Sequence, residues 1–233
     1  MTGFIQNKFT SLPGAVRIII GILVFGSIWG FLEATLGGFL HMIIFPNKGA
    51  IMSGIGVAIM ASALTIYRKP VMLPGIGIVA ASFKLLDVWL FSLTATSIHI
   101  INPAMAIIFE SLAFGLVAVF LKNKIAKNAF VGIGAGFLVG LISATAWVYF
   151  AIYVMNAPAY ARVVFTTGEF ISNQGVAQAA FSAMFLSLGY LTGEKLASRT
   201  PAILTRRPAY YAVSVSTALL CWGVSALVTM AGL

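Results

Sequence analysis

The sequence predicts an all-α protein, a polytopic bundle of about seven transmembrane helices, with six spans as the alternative. Hydrophobic residues make up 61% of the 233 residues and charged residues only 8%, whereas a soluble domain is about 25% charged. The mean hydropathy is +1.04, and apolar stretches of about 20 residues, the length that crosses a bilayer core, recur along the chain. We therefore expect one integral membrane domain over residues 1–233. The composition excludes disordered, coiled-coil and nucleic-acid-binding proteins.

Seven apolar stretches follow one another along the chain. Three of the stretches have a proline at or just before their first residue: Pro70, Pro103 and Pro208. Proline hardly destabilises a helix there, because the first helical N–H groups have no hydrogen-bond partner. The fifth stretch is longer than a bilayer requires, which predicts a tilt or an extension beyond the core. The predicted spans are residues 15–40, 49–67, 71–93, 103–121, 129–155, 174–193 and 210–231.

Basic residues alternate between the two sides of this arrangement. Eleven of the 14 lie in the N-terminal segment and in every second loop after it, whereas only Lys48 and Arg162 lie in the other loops. By the positive-inside rule, this pattern predicts a cytoplasmic N-terminus and an external C-terminus. We expect a multi-pass protein of the cytoplasmic (inner) membrane of a prokaryote, embedded in the lipid bilayer. The eleven are Lys8, Arg17, Arg68, Lys69, Lys122, Lys124, Lys127, Lys195, Arg199, Arg206 and Arg207.

Four ionisable residues lie inside the predicted spans: Glu33, Lys84, Asp87 and Glu110. Such residues are rare within membranes, because placing a charge in the bilayer costs free energy, and they usually have a function. With the predicted orientation and a rise of about 1.5 Å per residue, all four lie in the outer half or near the midplane. This pattern predicts a substrate site in a cavity that opens outward. The plainer interpretation is that Lys84 and Asp87 neutralise each other and that the glutamates are protonated hydrogen-bonding groups.

Further polar residues lie on the same predicted side. His41 ends the first span, and His99 lies in the loop before the fourth; both are candidate ligands for a divalent metal, or else ordinary loop residues. Asn102 and Gln178 complete the set of candidate substrate-binding residues.

Small residues recur at every fourth position of the first span, at Gly26, Gly30, Ala34 and Gly38. This spacing lets helix backbones approach closely. It predicts either packing within the bundle or a docking face for another membrane subunit.

The sequence contains no known nucleotide-binding or hydrolase motif. There is no Gly-rich loop ending in Gly-Lys-Ser or Gly-Lys-Thr, no His-Glu-x-x-His and no Gly-x-Ser-x-Gly. We therefore name no catalytic residue and do not expect the chain to hydrolyse ATP by that route.

The chain resembles the S component, the substrate-binding membrane subunit, of energy-coupling-factor (ECF) transporters. The resemblance covers most of the chain and depends on the small-residue stripe from Gly26 to Gly38 and on Asn102-Pro103-Ala104 followed by Glu110 and Gly115. It implies capture of a vitamin-like solute or metal ion from outside, with a membrane T component and cytoplasmic ATPases as partners. Most members of this family have six spans.

Two other functions remain open. One is an integral membrane enzyme with a metal or carboxylate site near the outer face, formed by Glu33, His41, His99 and Glu110. The other is a proton-coupled secondary carrier, in which Glu33, Asp87 or Glu110 relays protons.

Overall fold

The computed structural model describes residues 14–43, 47–92, 94–125, 128–155, 167–199 and 206–232. Within these ranges the chain is helical apart from short turns and contains no strand. Seven of the described segments are long and apolar enough to cross a membrane, which confirms the all-α class and the count of seven; the orientation stays a prediction. The α-helices are α1 (Gly14–Met42), α2 (Lys48–Tyr67), α3 (Met72–Ser82), α4 (Leu85–Phe91), α5 (Ile98–Ile125), α6 (Ala129–Tyr149), α7 (Thr167–Phe170), α8 (Val176–Arg199) and α9 (Arg207–Met230).

Two spans are composite. The third, Met72–Leu90, contains α3 and α4, and the sixth, Thr167–Arg199, contains α7 and α8. A π-helical turn over Ile171–Gly175 joins α7 to α8, and a second, Phe150–Val154, continues α6. The sixth span therefore begins earlier than the predicted residue 174.

The third span is broken at Phe83 and Lys84, where the sequence predicts one continuous helix. The backbone N–H groups of Phe83, Lys84 and Leu86 donate to carbonyls three residues earlier, over 3.2, 3.1 and 3.0 Å. These bonds form a turn tighter than an α-helix. Irregular backbone is tolerated within a membrane where protein encloses it, and Phe83 is only 2% exposed. Lys84 thus lies at the junction of two half-helices.

The fourth span begins five residues before its predicted start. The Ser97 carbonyl accepts hydrogen bonds from the N–H groups of Ile100 and Ile101, both over 3.0 Å, so α5 starts at Ile98 and Pro103 lies inside it. His99 therefore belongs to the first helical turn and not to a loop. Glu110 lies twelve residues into the helix, or about 18 Å along its axis, just before the middle of this 28-residue helix.

Glycines bring α8 into direct contact with α2 and α6. A Cβ built on Gly140 of α6 would lie 2.5 Å from Ala179 Cα, and one on Gly136 would lie 2.6 Å from Ala183 Cα. On the other side of α8, a Cβ on Gly193 would lie 2.8 Å from the Ser62 carbonyl oxygen. The Ser62 hydroxyl also donates to the Gly189 carbonyl over 2.8 Å. These helices pack backbone to backbone.

The outer surface of the bundle carries large apolar side chains. Val71, Trp89, Phe120 and Phe130 are between 73% and 85% exposed. An apolar outer face of this kind is suited to lipid, which is consistent with the predicted bilayer contact.

Two contacts between helix ends show that the helices they join run in opposite directions, since the end of one helix meets the start of the other. The hydroxyls of Tyr67, at the end of α2, and Tyr210, at the start of α9, lie 3.0 Å apart. At the opposite end, Trp147 of α6 donates to Asn102 of α5 over 2.9 Å. Apart from Lys48 at the start of α2, the described basic residues of the loops therefore collect at one end, which we call the basic end.

Candidate functional site

The structure links the four intramembrane ionisable residues electrostatically. Lys84, at the break of the third span, interacts with Glu33 of α1 and with Asp87 of α4. Glu33 in turn interacts with Glu110 of α5. We call Glu33, Lys84, Asp87 and Glu110 the charge cluster; three spans contribute to it.

Glu110 is the most enclosed member of the charge cluster and is 4% exposed. Its carboxyl lies beside the Ser53 side chain and the Val57 backbone N–H of α2. Gly56 leaves the space for it, because a Cβ there would lie 2.6 Å from Glu110 Oε1 and 2.5 Å from two atoms of the Trp29 indole ring. The indole of α1 and the carboxyl of α5 therefore meet over a glycine of α2.

Trp29 Nε1 and Glu110 Oε1 are buried without a hydrogen-bond partner among the described residues, and Ser53 Oγ is buried next to the Glu110 carboxyl. Burying such atoms unpaired is costly, and most buried polar groups in proteins are paired. They offer a donor, a hydroxyl that can donate or accept, and an acceptor. A polar ligand with both kinds of group would satisfy the two unpaired atoms.

The charge cluster contains three carboxyl groups and one ammonium group. If all four ionise, the cluster has an excess of negative charge in a low-dielectric environment, which is unfavourable. Either a bound cation or protons on the carboxyl groups would restore the balance. The cluster is therefore suited to a cationic ligand or to proton exchange.

Asn102 and Gln178 form helix–helix contacts. Asn102 Oδ1 accepts from Trp147, and Gln178 Nε2 donates to Ser143 Oγ of α6 over 2.9 Å. Asn102 also lies eight residues, or about 12 Å along the helix, before Glu110. These two predicted substrate-binding residues thus connect α5 to α6 and α8 to α6.

The structure does not bring His99 into the charge cluster. His99 is exposed in the first turn of α5, and the side chain of His41 lies outside the described residues. Within the described part of the chain, no group of three His, Cys, Asp or Glu side chains is placed to hold a metal ion. A divalent metal at His41 and His99 stays a prediction.

The small-residue stripe of α1 divides into two parts. A Cβ on Gly26 would lie 2.6 Å from Val79 Cβ, and one on Gly30 would clash with the Phe83 ring. Both glycines are buried against the third span, which favours the packing interpretation for them. Ala34 and Gly38 are partly exposed, so only this part of the stripe is left for docking to another subunit.

The last helix covers the break of the third span. α9 packs against α1 and α4, and the ring of Trp222 lies over that of Phe83 with centroids 4.0 Å apart. Sequence reasoning made no site prediction for Trp29 or Trp222. It missed Ser53 and Gly56 because uncharged residues in an apolar stretch give no signal of a nearby carboxyl.

No known family model, curated protein or solved structure matches the chain.

Proposed function

We propose that the protein is a membrane-embedded uptake subunit, similar to an ECF S component, that captures a small organic cation at the charge cluster. The observation that carries the proposal is that Glu33 interacts electrostatically both with Lys84, at a broken helix, and with Glu110, whose carboxyl lies close to Trp29. Intramembrane ionisable residues of this kind usually mark a substrate or ion pathway. Broken helices often form such binding sites in transporters.

The buried polar atoms favour an organic, vitamin-like ligand over a bare metal ion. A metal ion would satisfy the Glu110 carboxylate but cannot accept a hydrogen bond from Trp29 Nε1. An organic cation that carries both donor and acceptor groups satisfies both, as small-molecule sites commonly require.

Partner subunits would supply the energy for uptake. Because the sequence contains no Gly-rich loop ending in Gly-Lys-Ser or Gly-Lys-Thr, ATP hydrolysis would come from cytoplasmic ATPases coupled through a membrane T component. Capture from outside follows from the predicted orientation, because the Glu33, Lys84 and Asp87 members of the charge cluster lie nearer the end opposite the basic end.

Mass spectrometry of the protein purified from its native membrane tests the proposal. We expect a small cationic compound to co-purify and, when added back, to raise the melting temperature. Glu110→Gln should weaken its binding by about tenfold or more, because a hydrogen bond to a charged group is lost. Glu194→Gln, an exposed acid on α8, is the matched control. If nothing co-purifies, and neither vitamins nor organic cations raise the melting temperature, the capture function is wrong.

The excess of carboxyl groups in the charge cluster also favours a second candidate, a proton-coupled carrier. Here protons instead of a ligand would balance the charge, and Glu33 and Glu110 would relay them. Vesicles containing the purified chain alone separate the two functions. Solute uptake driven by an imposed pH gradient, without ATPases, would favour the carrier and contradict the S-component-like function.

A further inference from the structure

A second polar cluster lies at the basic end, far from the charge cluster along α1. Arg17 interacts electrostatically with the hydroxyl groups of both Tyr67 and Tyr210, which lie 3.0 Å from each other. Helices α1, α2 and α9 each contribute one of these residues. We call them the Arg–Tyr cluster.

Packing contacts fix the positions of the two tyrosine side chains of the Arg–Tyr cluster. Gly21, one turn after Arg17, gives the Tyr67 ring its place, because a Cβ there would lie 2.7 Å from Tyr67 Cζ. Phe25 packs edge-on against the same ring, with centroids 6.3 Å apart. Tyr210 is only 9% exposed. Packing thus holds the Tyr67 ring against α1 one turn from Arg17, and the hydrogen bond between the tyrosines adds the second hydroxyl.

Positive charge surrounds the Arg–Tyr cluster. Arg68 and Lys69 directly follow Tyr67, and Arg206 and Arg207 begin the helix that carries Tyr210; all four are exposed. The hydrogen bond between the tyrosines brings these two basic pairs to one place. Glu194 is an exposed acid at the same end, on α8. Several cations next to hydroxyl groups are suited to a phosphate group, which arginine binds through paired hydrogen bonds.

Apolar side chains next to the cluster face outward. Ile19 of α1 is 56% exposed and Val213 of α9 is 50% exposed, each within three residues of the cluster. A phosphate held at the cluster would therefore place attached acyl chains along an apolar surface at the helix ends. This arrangement favours a lipid over a free anion, and basic pockets between transmembrane helices bind anionic lipid head groups.

We propose that Arg17, Tyr67 and Tyr210 form a binding site for the phosphate of an anionic phospholipid at the basic end. The positive-inside pattern by itself explains the charges of this end but not the paired tyrosine hydroxyls beside Arg17. The site is separate from the proposed solute site, so either can fail without the other.

Native mass spectrometry of the purified full chain tests the site, with phosphatidylglycerol, cardiolipin or phosphatidylcholine added. We expect the two anionic lipids to remain bound and phosphatidylcholine to dissociate. Arg17→Gln should reduce anionic-lipid binding by about tenfold, and Tyr210→Phe by roughly threefold, since each removes a hydrogen bond to a charged group. Arg199→Gln removes an exposed charge from the same end and is the matched control, which should bind as the unchanged protein does.

If Arg17→Gln does not fold, Arg17→Lys and Tyr210→Phe can be used in the same assay. Lysine keeps the positive charge but lacks the planar guanidinium group that binds phosphate through paired hydrogen bonds. Equal losses in the Arg17 and Arg199 variants would show diffuse attraction to the basic end and overturn the site. Displacement of the lipid by millimolar inorganic phosphate would show a free-anion site and overturn the assignment to lipid.

Discussion

The glycines on the two sides of the bundle accommodate mostly different neighbours, although Gly54 of α2 also faces an aromatic ring, that of Phe185. Where α2, α8 and α6 meet, Gly140 and Gly193 accommodate the backbone of the next helix, whereas Gly21 and Gly30 of α1 accommodate the aromatic rings of Tyr67 and Phe83. Backbone contact at these positions holds the helices close together, so the first side forms a scaffold, although a cavity remains between α6 and α8 beside Tyr190. Side chains can change rotamer, and the second side carries the broken helix, Lys84 and the Arg–Tyr cluster. We therefore expect substitutions on the first side to affect stability and those on the second to affect binding as well.

Replacing Lys84 with methionine should give the largest effect, because it leaves Glu33 and Asp87 without their shared cation. Carboxyl groups left in a low-dielectric environment without a nearby cation are unfavourable, so the free energy of unfolding should fall. Unfolding in mixed micelles measures this loss. Adding Glu33→Gln to the same chain should recover part of it.

Lys124→Met, at the exposed end of α5, is the control for that experiment and should leave stability unchanged. A Lys84→Met protein as stable as the original would contradict the electrostatic link between α1 and the third span.

Gly140→Ala tests the scaffold side. The new Cβ would lie 2.5 Å from Ala179 Cα, so α6 and α8 must separate, and we expect a loss of about 2 kcal/mol, typical of overpacking. Gly134→Ala, on the same helix, would meet nothing within 4 Å and should be neutral or slightly stabilising. Equal unfolding curves for the two variants would show that the helices tolerate separation.

Trp222→Ala tests whether α9 supports the break of the third span. Loss of the ring over Phe83 should lower stability by about 1 kcal/mol, the usual contribution of an aromatic pair. It should also weaken ligand binding, because Phe83 precedes Lys84. Leu219→Ala, at a 67% exposed position on the same helix, should change neither quantity. Unchanged ligand affinity in the Trp222 variant would show that α9 does not influence the solute site.

Gln178→Met should have the smallest effect. It removes the hydrogen bond to Ser143, and interhelical bonds in membranes contribute about 0.6 kcal/mol on average. Thermal unfolding and ligand titration of the variant together show whether Gln178 is a packing residue. Solute affinity should stay the same; a large loss of solute affinity would instead show that Gln178 takes part in binding.

The spans were predictable because each is a long apolar stretch, and length and hydropathy are local properties. The break at Phe83 and Lys84 was not, since neither residue is Gly or Pro. Its surroundings come from elsewhere in the chain: Gly30 makes room for the Phe83 ring and Trp222 covers it. In the same way, Glu110 was identifiable as a charge in a membrane, but its contact with Trp29 depends on Gly56 of another helix.

The position of α8 between α2 and α6 has a consequence for biogenesis. α2 and α6 make few contacts with each other, and both pack mainly on α8. At synthesis rates of about 5–20 residues per second, α2 leaves the ribosome on the order of ten seconds before α8. During that interval the face of α2 that carries Gly54, Ala58 and Ser62 has no permanent neighbour and is exposed to lipid, to the insertion machinery or to a chaperone. The scaffold side therefore cannot be completed until the sixth of the seven spans has been synthesised, and only α9 is added after it.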